Sequence, residues 1–407
     1  MTRHRTRVAL AAGRAAGWAS RVTGRGAGSQ VSGRVMLGIE PDLLADVVGA
    51  RRVALVSATN GKTTTTRLLA EALRANGTSV ATNHTGANMP AGIAAGLARV
   101  PDSDVAIIEV DERWLPKVVD PLGTDLLVLG NLTRDQLDRF GEVRVIAAGW
   151  REVCTAHPEI AVVANSSDPN VVWAAEPANP VWVALGAPWR SDAATCPCCA
   201  ALLTWSADRF DCPSCGFGQP DSPNRLDGDV LVLGAERIPM HLRLPGSWNR
   251  MNAALALTAA IEHFEVPIGR AVEGVAEVEV VSGRFSTRRL PDGRDVRVLL
   301  AKNPAGWTEV LRWLEDRTAG VVLAVNAHVA DGRDPSWLWD VPYELLRGVP
   351  VAASGERALD VAVRLEYGGV ACFVEPDPLA AAARLPGDGV DIVASYTQFT
   401  RLTKRSW

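Results

Sequence analysis

Gly61, Lys62, Thr63 and Thr64 close a short stretch, Val53 to Thr66, that reads VALVSATNGKTTTT. Residue types in this order are what a polyphosphate needs. Glycine lets the backbone approach oxygen closely, N–H groups at a helix start favour anions, lysine adds a point charge, and the threonine after it can ligate Mg²⁺. Thr59 and Asn60 complete the loop, so the candidate nucleotide-binding set is Thr59, Asn60, Gly61, Lys62, Thr63 and Thr64. Lys62 is expected at the surface of a preformed loop. The stretch departs from a full Walker pattern, with Val56 where glycine usually stands five positions before Gly61. The loop alone does not name the phosphoryl acceptor.

Other residues extend this chemistry. Glu109 ends the apolar run DVAIIEVDE, and a carboxylate at a strand's carboxyl end beside such a loop is placed to share Mg²⁺ with Thr63. Asp111 and Glu112 follow closely enough to substitute for it. Asn249 and Asn252, in GSWNRMNAALALTAAIEHF, share a helix face and can read an adenine edge through amide donors and acceptors. Capping explains only one of them.

Four cysteines carry a second chemistry. Cys196 and Cys199 in CPCC, with Cys212 and Cys215 in CPSC, make two C-x-x-C pairs. Four thiolates close a tetrahedron around Zn²⁺ and leave no open position, which is the spacing of a structural zinc ribbon. A disulfide pairing is the alternative, disfavoured in a reducing compartment. Cys198 is the spare thiol, while Cys154 and Cys372 read as buried hydrophobes. In NAHVADGRDPSWLWDV, Asp331, Asp334 and Asp340 surround Trp337 and Trp339. That loop reads either as a contact surface or as aromatics packed on their own domain.

The elements that must position these residues follow an α/β rhythm. The helix TTTRLLAEALRANG stops at Gly77, and DVAIIEVDE, DLLVLGNL, IAVVANSSDP and NPVWVALG read as strands separated by helices. The expected fold is a P-loop-type, mostly parallel sheet whose ligand edge is lined by polar residues just past strand ends, such as Asn131, Asp138, Asn165 and Asp168. Turn-rich flanks mark 190–225 as an inserted ribbon. Gly283 and Pro291 to Gly293 break the pattern, with Arg284 at the expected hinge, and VRVLLAKNPAGW opens a smaller α/β unit. The expected division is an N-terminal segment 1–48, a central domain 49–284 and a C-terminal domain 285–407.

At 407 residues, 47% hydrophobic and 22% charged with formal net charge -4, the composition is that of a globular protein with no global pull toward nucleic acid. Arg14 interrupts the apolar part of the N-terminus and no clean cleavage pattern follows, so a cytoplasmic address is expected. Val8, Leu10, Ala11, Ala15 and Trp18 beside Arg7, Arg14 and Arg21 suggest a basic amphipathic helix, read either as core packing or as contact with the membrane's inner face.

ATNGKTTTT, the EVDE carboxylates, NLTRDQLDRFGE, GSWNRMNAALA and GRF occur in the order in which Mur ligases carry their ATP-grip motifs, and the resemblance covers most of the chain. Only about fifty residues precede the loop strand, where ordinary Mur ligases have a large uridine-nucleotide-binding domain. The four-cysteine insertion, KNPAGW and DGRDPSWLWD instead resemble the MurT-type subunits of lipid II isoglutaminyl synthases. That resemblance implies an ATP-dependent carbon-nitrogen ligase that phosphorylates the α-carboxylate of D-glutamate in lipid II and makes D-isoglutamine with ammonia from a glutaminase partner of the GatD type. It implies phosphate contacts at Asn60, Lys62, Thr63 and Thr64, magnesium at Thr63 and Glu109, adenine at Asn249 and Asn252, and the γ-phosphate side at Arg284. Asp334, with Asp331 and Asp340 as alternatives, would lend a carboxylate to the partner's catalytic cysteine and histidine. Ala58, Leu299 and Ala327 depart from the family's pattern, and the ribose contact is unassigned. Two rival readings are an amino-acid-adding Mur or folylpolyglutamate ligase and a zinc-ribbon nucleic-acid-binding ATPase. The near-neutral hairpin ALLTWSADRFD counts against the second.

Overall fold

The computed structural model describes the chain except residues 1, 24–27, 84–86, 136–142, 188, 280–284, 291, 315–319, 388 and 405–407. Arg284 and Asp138 therefore lie outside the described residues. The chain separates into two compact units, one of residues 1–132 and 143–279, the other of 133–142 and 280–407.

A six-stranded parallel sheet organises the first unit. Its strands are β1 (Arg52–Ser57), β2 (Val80–Thr82), β3 (Val105–Glu109), β4 (Leu126–Leu129), β5 (Ala161–Asn165) and β6 (Val181–Val183), in the order β2-β3-β1-β4-β5-β6. Near-continuous apolar runs form these strands because both faces are covered. Val53 and Leu55 enter one core while Ala54 and Val56 are buried on the other face. The chain crosses from β3 on one side of β1 to β4 on the other, which opens a crevice at the carboxyl end of β1. The phosphate loop emerges there.

Helices α1 (Thr2–Val22), α2 (Ser29–Ile39) and α3 (Leu43–Val48) belong to this unit, as do α4 (Lys62–Ala75) and α5 (Pro90–Leu97). Gly33 of α2 meets α5 so closely that a Cβ would fall 1.7 Å from the Ala91 carbonyl oxygen. The cysteine insertion carries the hairpin β7 (Thr204–Ser206) and β8 (Arg209–Asp211). A three-stranded antiparallel sheet follows, β9 (Arg225–Asp227), β10 (Val230–Leu233) and β11 (Glu236–Pro239), where only turn-rich sequence was expected. Its signals are Gly228 and Gly234, whose φ values of 58° and 59° turn the two hairpins.

In the second unit β12 (Phe285–Arg289), β13 (Asp295–Leu300), β14 (Gly320–Ala324), β15 (Val351–Ser354), β16 (Cys372–Val374) and β17 (Gly389–Ala394) form a sheet ordered β12-β13-β17-β14-β15-β16. Alternation splits its residues between two cores, Val296, Val298 and Val322 in one and Leu299, Val321 and Leu323 in the other. The polar strand β12 lies in the stretch expected to be a hinge, and it pairs antiparallel with β13 as an edge.

Candidate nucleotide site and four-cysteine cluster

The loop after β1 turns at Gly61, and α4 starts at Lys62. Two facts require glycine at this position: φ is 91°, and a Cβ would lie 2.1 Å from Asn252 Oδ1. Asn131, just past β4, clamps the loop from the side. The Asn60 N–H donates to Asn131 Oδ1 at 3.0 Å, Asn131 Nδ2 donates to the Asn60 carbonyl at 2.8 Å, and the Thr59 N–H donates to the Asn131 carbonyl at 2.7 Å. Sequence reasoning placed Asn131 on the ligand edge without giving it this task.

Thr63 and Glu109, the expected magnesium pair, are in contact: Thr63 Oγ1 donates to Glu109 Oε2 at 2.8 Å. Asn83 fixes the backbone beneath them, donating through Nδ2 to the Glu109 carbonyl at 2.7 Å and accepting the Glu109 N–H at 2.9 Å. Asp111, one alternative to Glu109, instead pairs with Arg113 at 3.4 Å.

Lys62 corrects an expectation. Its side chain is 8% exposed and is not at the surface of the loop. Nζ donates to the Ala58 carbonyl, to the Thr59 carbonyl at 3.2 Å and to Glu112 Oε2 at 2.8 Å. Glu112, considered in the sequence only as a substitute metal ligand, is the lysine's counter-charge and is 9% exposed. Its own carbonyl accepts the Trp150 indole N–H at 2.9 Å. The only sequence signal was the second glutamate of EVDE, three residues past Glu109.

The two amides separate in role. Asn252, on the helix Ser247–Glu262, overlies Gly61, whereas Asn249 Nδ2 is engaged by the Pro245 carbonyl at 2.6 Å, where the chain enters the helix. Asp168, expected on the ligand edge, caps the helix Pro169–Ala175 by accepting the Asn170 N–H at 2.9 Å and the Val171 N–H at 3.3 Å. It also accepts the Leu132 N–H at 2.8 Å, and burial raises its carboxyl to about 6. Helix-start amides, one cation and a hydroxyl–carboxylate pair, brought to one strand end, suit a polyphosphate with a divalent cation.

The sulfurs of Cys196, Cys199, Cys212 and Cys215 all lie within 4.8 Å of one another. Cys196 Sγ and Cys215 Sγ are 3.7 Å apart, and Cys199 Sγ and Cys212 Sγ 3.5 Å. Four thiolates at zinc–sulfur distances of about 2.3 Å are about 3.8 Å apart, so the cluster fits a tetrahedral ion. Each C-x-x-C pair makes the same turn: the Ala200 N–H donates to the Cys196 carbonyl at 2.9 Å and the Gly216 N–H to the Cys212 carbonyl at 3.0 Å. Both of those residues adopt positive φ, 63° and 74°. Cys198 stays outside the four, and all seven cysteines are free thiols.

Residues 56–192 match the model of the Mur ligase middle domain, and residues 300–399 that of the MurT ligase C-terminal region. Both regions match the Mur ligase family, and together they span more than half of the chain. A lipid II isoglutaminyl synthase (glutamine-hydrolyzing) subunit MurT of Staphylococcus aureus strain COL is 28% identical over 404 residues, spanning 90% of this chain and 89% of that protein. The similarly named protein of Streptococcus pneumoniae strain R6 is 29% identical over 396 residues, covering 90% and 87%. Among solved structures, a pseudomurein peptide ligase type C from Methanothermus fervidus superposes with a TM-score of 0.66 at 17% identity, covering 89% of this chain and 81% of that one. At that identity the likeness establishes the Mur ligase fold.

In the MurT-type terminal domain the three candidate aspartates have different surroundings. Asp331 is buried and serves its own fold, accepting the Thr397 N–H at 2.8 Å, the Thr397 hydroxyl at 2.6 Å and the His328 N–H at 3.2 Å. Asp340 pairs with Arg134 at 3.2 Å. Asp334 is exposed, and the Ser336 N–H and hydroxyl, at 2.8 and 2.9 Å, hold its carboxyl below the ordinary range. The tryptophans divide too. Trp337 packs against Trp307, while Trp339 is 53% exposed and meets the exposed Tyr367 ring at 5.3 Å. Leu359 and Val363, also exposed, share the helix Ala358–Tyr367 with Tyr367 at four-residue spacing.

Proposed function

We propose that this chain is the ATP-using ligase subunit of a lipid II isoglutaminyl synthase. One observation carries the reading: a Mur-type phosphate site and a MurT-type terminal domain occur in one chain that matches relatives of that name over 90% of its length. A carboxylate oxygen of the D-glutamate α-carboxyl attacks the γ-phosphorus of ATP and ADP leaves, giving an acyl-phosphate. Ammonia then adds through its lone pair to the acyl carbon, phosphate departs with that oxygen, and the nitrogen loses a proton to give the amide of D-isoglutamine. Such chemistry asks the protein chiefly for positioning and charge neutralisation.

The loop amides and the start of α4 would cradle the β- and γ-phosphates, with Lys62 exchanging Glu112 and the loop carbonyls for phosphate oxygens. Thr63 and Glu109 would hold Mg²⁺, which supplies further neutralisation when bound. Asn249 and Asn252 would contact the adenine, and Arg284 would take the γ-phosphate side by family position. Zn²⁺ in the four-cysteine cluster would stabilise the ribbon and take no part in the reaction. The glutaminase partner would dock on Trp339, Tyr367, Leu359 and Val363, and Asp334, kept ionised by Ser336, would orient its histidine. The site is expected to work in the cytoplasm.

The test is purified chain with ATP, Mg²⁺, lipid II and an ammonium salt. Conversion of the α-carboxyl to a carboxamide, dependent on ATP, is the expected result. ATP-dependent attachment of a free amino acid, with no amidation, would turn the assignment to an amino-acid-adding ligase.

A further inference from the structure

Among the described residues, no helix is long and apolar enough to cross a membrane. Helix α1 nevertheless has an outer face that nothing among the described residues of its unit covers. Its inner face is closed by α2: a Cβ on Gly13 would collide with Met36, and one on Gly17 would press on Ser32. The outer face carries Val8, Ala11, Ala15, Trp18 and Val22, all exposed, at alternating spacings of three and four that keep them in one stripe. Trp18 is 62% and Val22 65% exposed. Large apolar side chains left in water at both ends of one stripe mark a contact surface.

Charge says what the stripe fits. Arg7, Arg14 and Arg21 recur every seventh residue along one border of it, all exposed. They form no ion pair among the described residues, whereas Arg5 and Thr6 engage Glu40 and Asp46. No aspartate or glutamate occurs anywhere in α1, although the chain as a whole is net -4. A second copy of the same helix would set arginine against arginine. An apolar stripe with an interfacial tryptophan and a purely basic border is instead the composition of a helix lying in a bilayer interface rich in anionic lipid.

We propose that α1 docks this protein on an anionic lipid surface, lying flat with Val8, Trp18 and Val22 in the headgroup layer and Arg7, Arg14 and Arg21 against lipid phosphates. The inference stands on the helix and does not need the catalytic reading, although a lipid-borne substrate would give the docking a use. At a rise of 1.5 Å per residue the helix offers about 30 Å of contact.

The test is co-sedimentation of the full-length chain with vesicles of phosphatidylglycerol and phosphatidylcholine, against phosphatidylcholine alone, at low and high salt. Binding to the anionic vesicles only, reversed by salt, is expected even though the protein is itself acidic. Replacing the three arginines together, Arg7→Gln, Arg14→Gln and Arg21→Gln, should weaken partitioning about 100-fold, taking about fivefold for each basic residue near the surface. Trp18→Gln with Val22→Gln should also release the protein, and all five sites are exposed, so unchanged thermal unfolding serves as the folding control. Failure of the unmodified chain to bind anionic vesicles at low salt would overturn the proposal. So would binding that both variants retain, or a concentration-dependent dimer abolished by the Trp18 and Val22 changes. None of these readouts involves ATP or amidation, so failure here leaves the proposed function standing, and the reverse.

Discussion

Removing Lys62 should do more than remove a phosphate contact. Nζ lies 2.8 Å from Glu112 Oε2 with both side chains under a tenth exposed. At an effective dielectric near 20, the direct attraction at that distance is about 6 kcal/mol, most of it offset by the cost of taking both charges out of water. The asymmetry matters more than the net value, because deleting one partner leaves the other buried and uncompensated. Lys62→Met should therefore destabilise the first unit by about 3–5 kcal/mol. Glu112→Gln should cost less, about 1–3 kcal/mol, since the ammonium keeps the carbonyls of Ala58 and Thr59. Together, the two changes remove both charges and should bring stability back to within about 1 kcal/mol of the unmodified chain. Urea unfolding of the four proteins closes the cycle, and nucleotide affinity is measured in the same samples. The double variant should be stable yet bind ATP poorly, which separates the lysine's structural role from its phosphate role. Additive stability effects, with coupling below about 0.5 kcal/mol, would refute a buried pair at this position.

Further expectations follow from the other sites. Reduced protein should contain one tightly held Zn²⁺ per chain; Cys199→Ser should lose it while Cys198→Ser keeps it, and metal analysis finding the reverse would reassign the cluster. Asp334→Asn should abolish amidation driven by glutamine while sparing amidation driven by ammonium; equal loss of both, or of neither, would remove the aspartate from ammonia supply. Asp168 gives a pH signature. Its carboxyl is raised to about 6 in the fold, against about 4 when unfolded, so the native state holds the extra proton between those values. Stability from this group is therefore highest below about pH 4, falls by about 3 kcal/mol as pH rises to about 6, and is level above that. Asp168→Asn should erase that part of the unfolding profile, and a profile unchanged between the two proteins would show that the carboxyl is not raised.

Much of the site was legible because its chemistry is local in sequence. The loop from Thr59 to Thr64, and the two cysteine pairs, are short motifs whose geometry is set by neighbouring backbone. The contact of Thr63 with Glu109 could be expected because Glu109 ends β3 and Thr63 lies in the first turn of the helix that follows the adjacent strand β1. Glu112 was harder, because which of three closely spaced acids meets the lysine depends on how the chain leaves β3. Asn131 carried no signal beyond its place after a strand. The N-terminal helix showed its amphipathic pattern, but only packing against α2 tells which face is spent on the fold. Strands β9, β11 and β12 were missed because their residues are largely polar, and the apolar β10 between β9 and β11 because it pairs with those two short neighbours rather than with the main sheet of the first unit; β12 lies at a sheet edge.

The central claim is that ATP bound at this loop phosphorylates a substrate carboxylate. Lipid II labelled with oxygen-18 in the D-glutamate α-carboxyl, given to the chain with ATP, Mg²⁺ and ammonium, tests it most directly. Phosphorus NMR of the released phosphate should show one labelled oxygen for each amide formed, with no transfer in the Lys62→Met, Glu112→Gln protein. Amide formation that leaves the phosphate unlabelled would contradict the acyl-phosphate route and the role assigned to the loop.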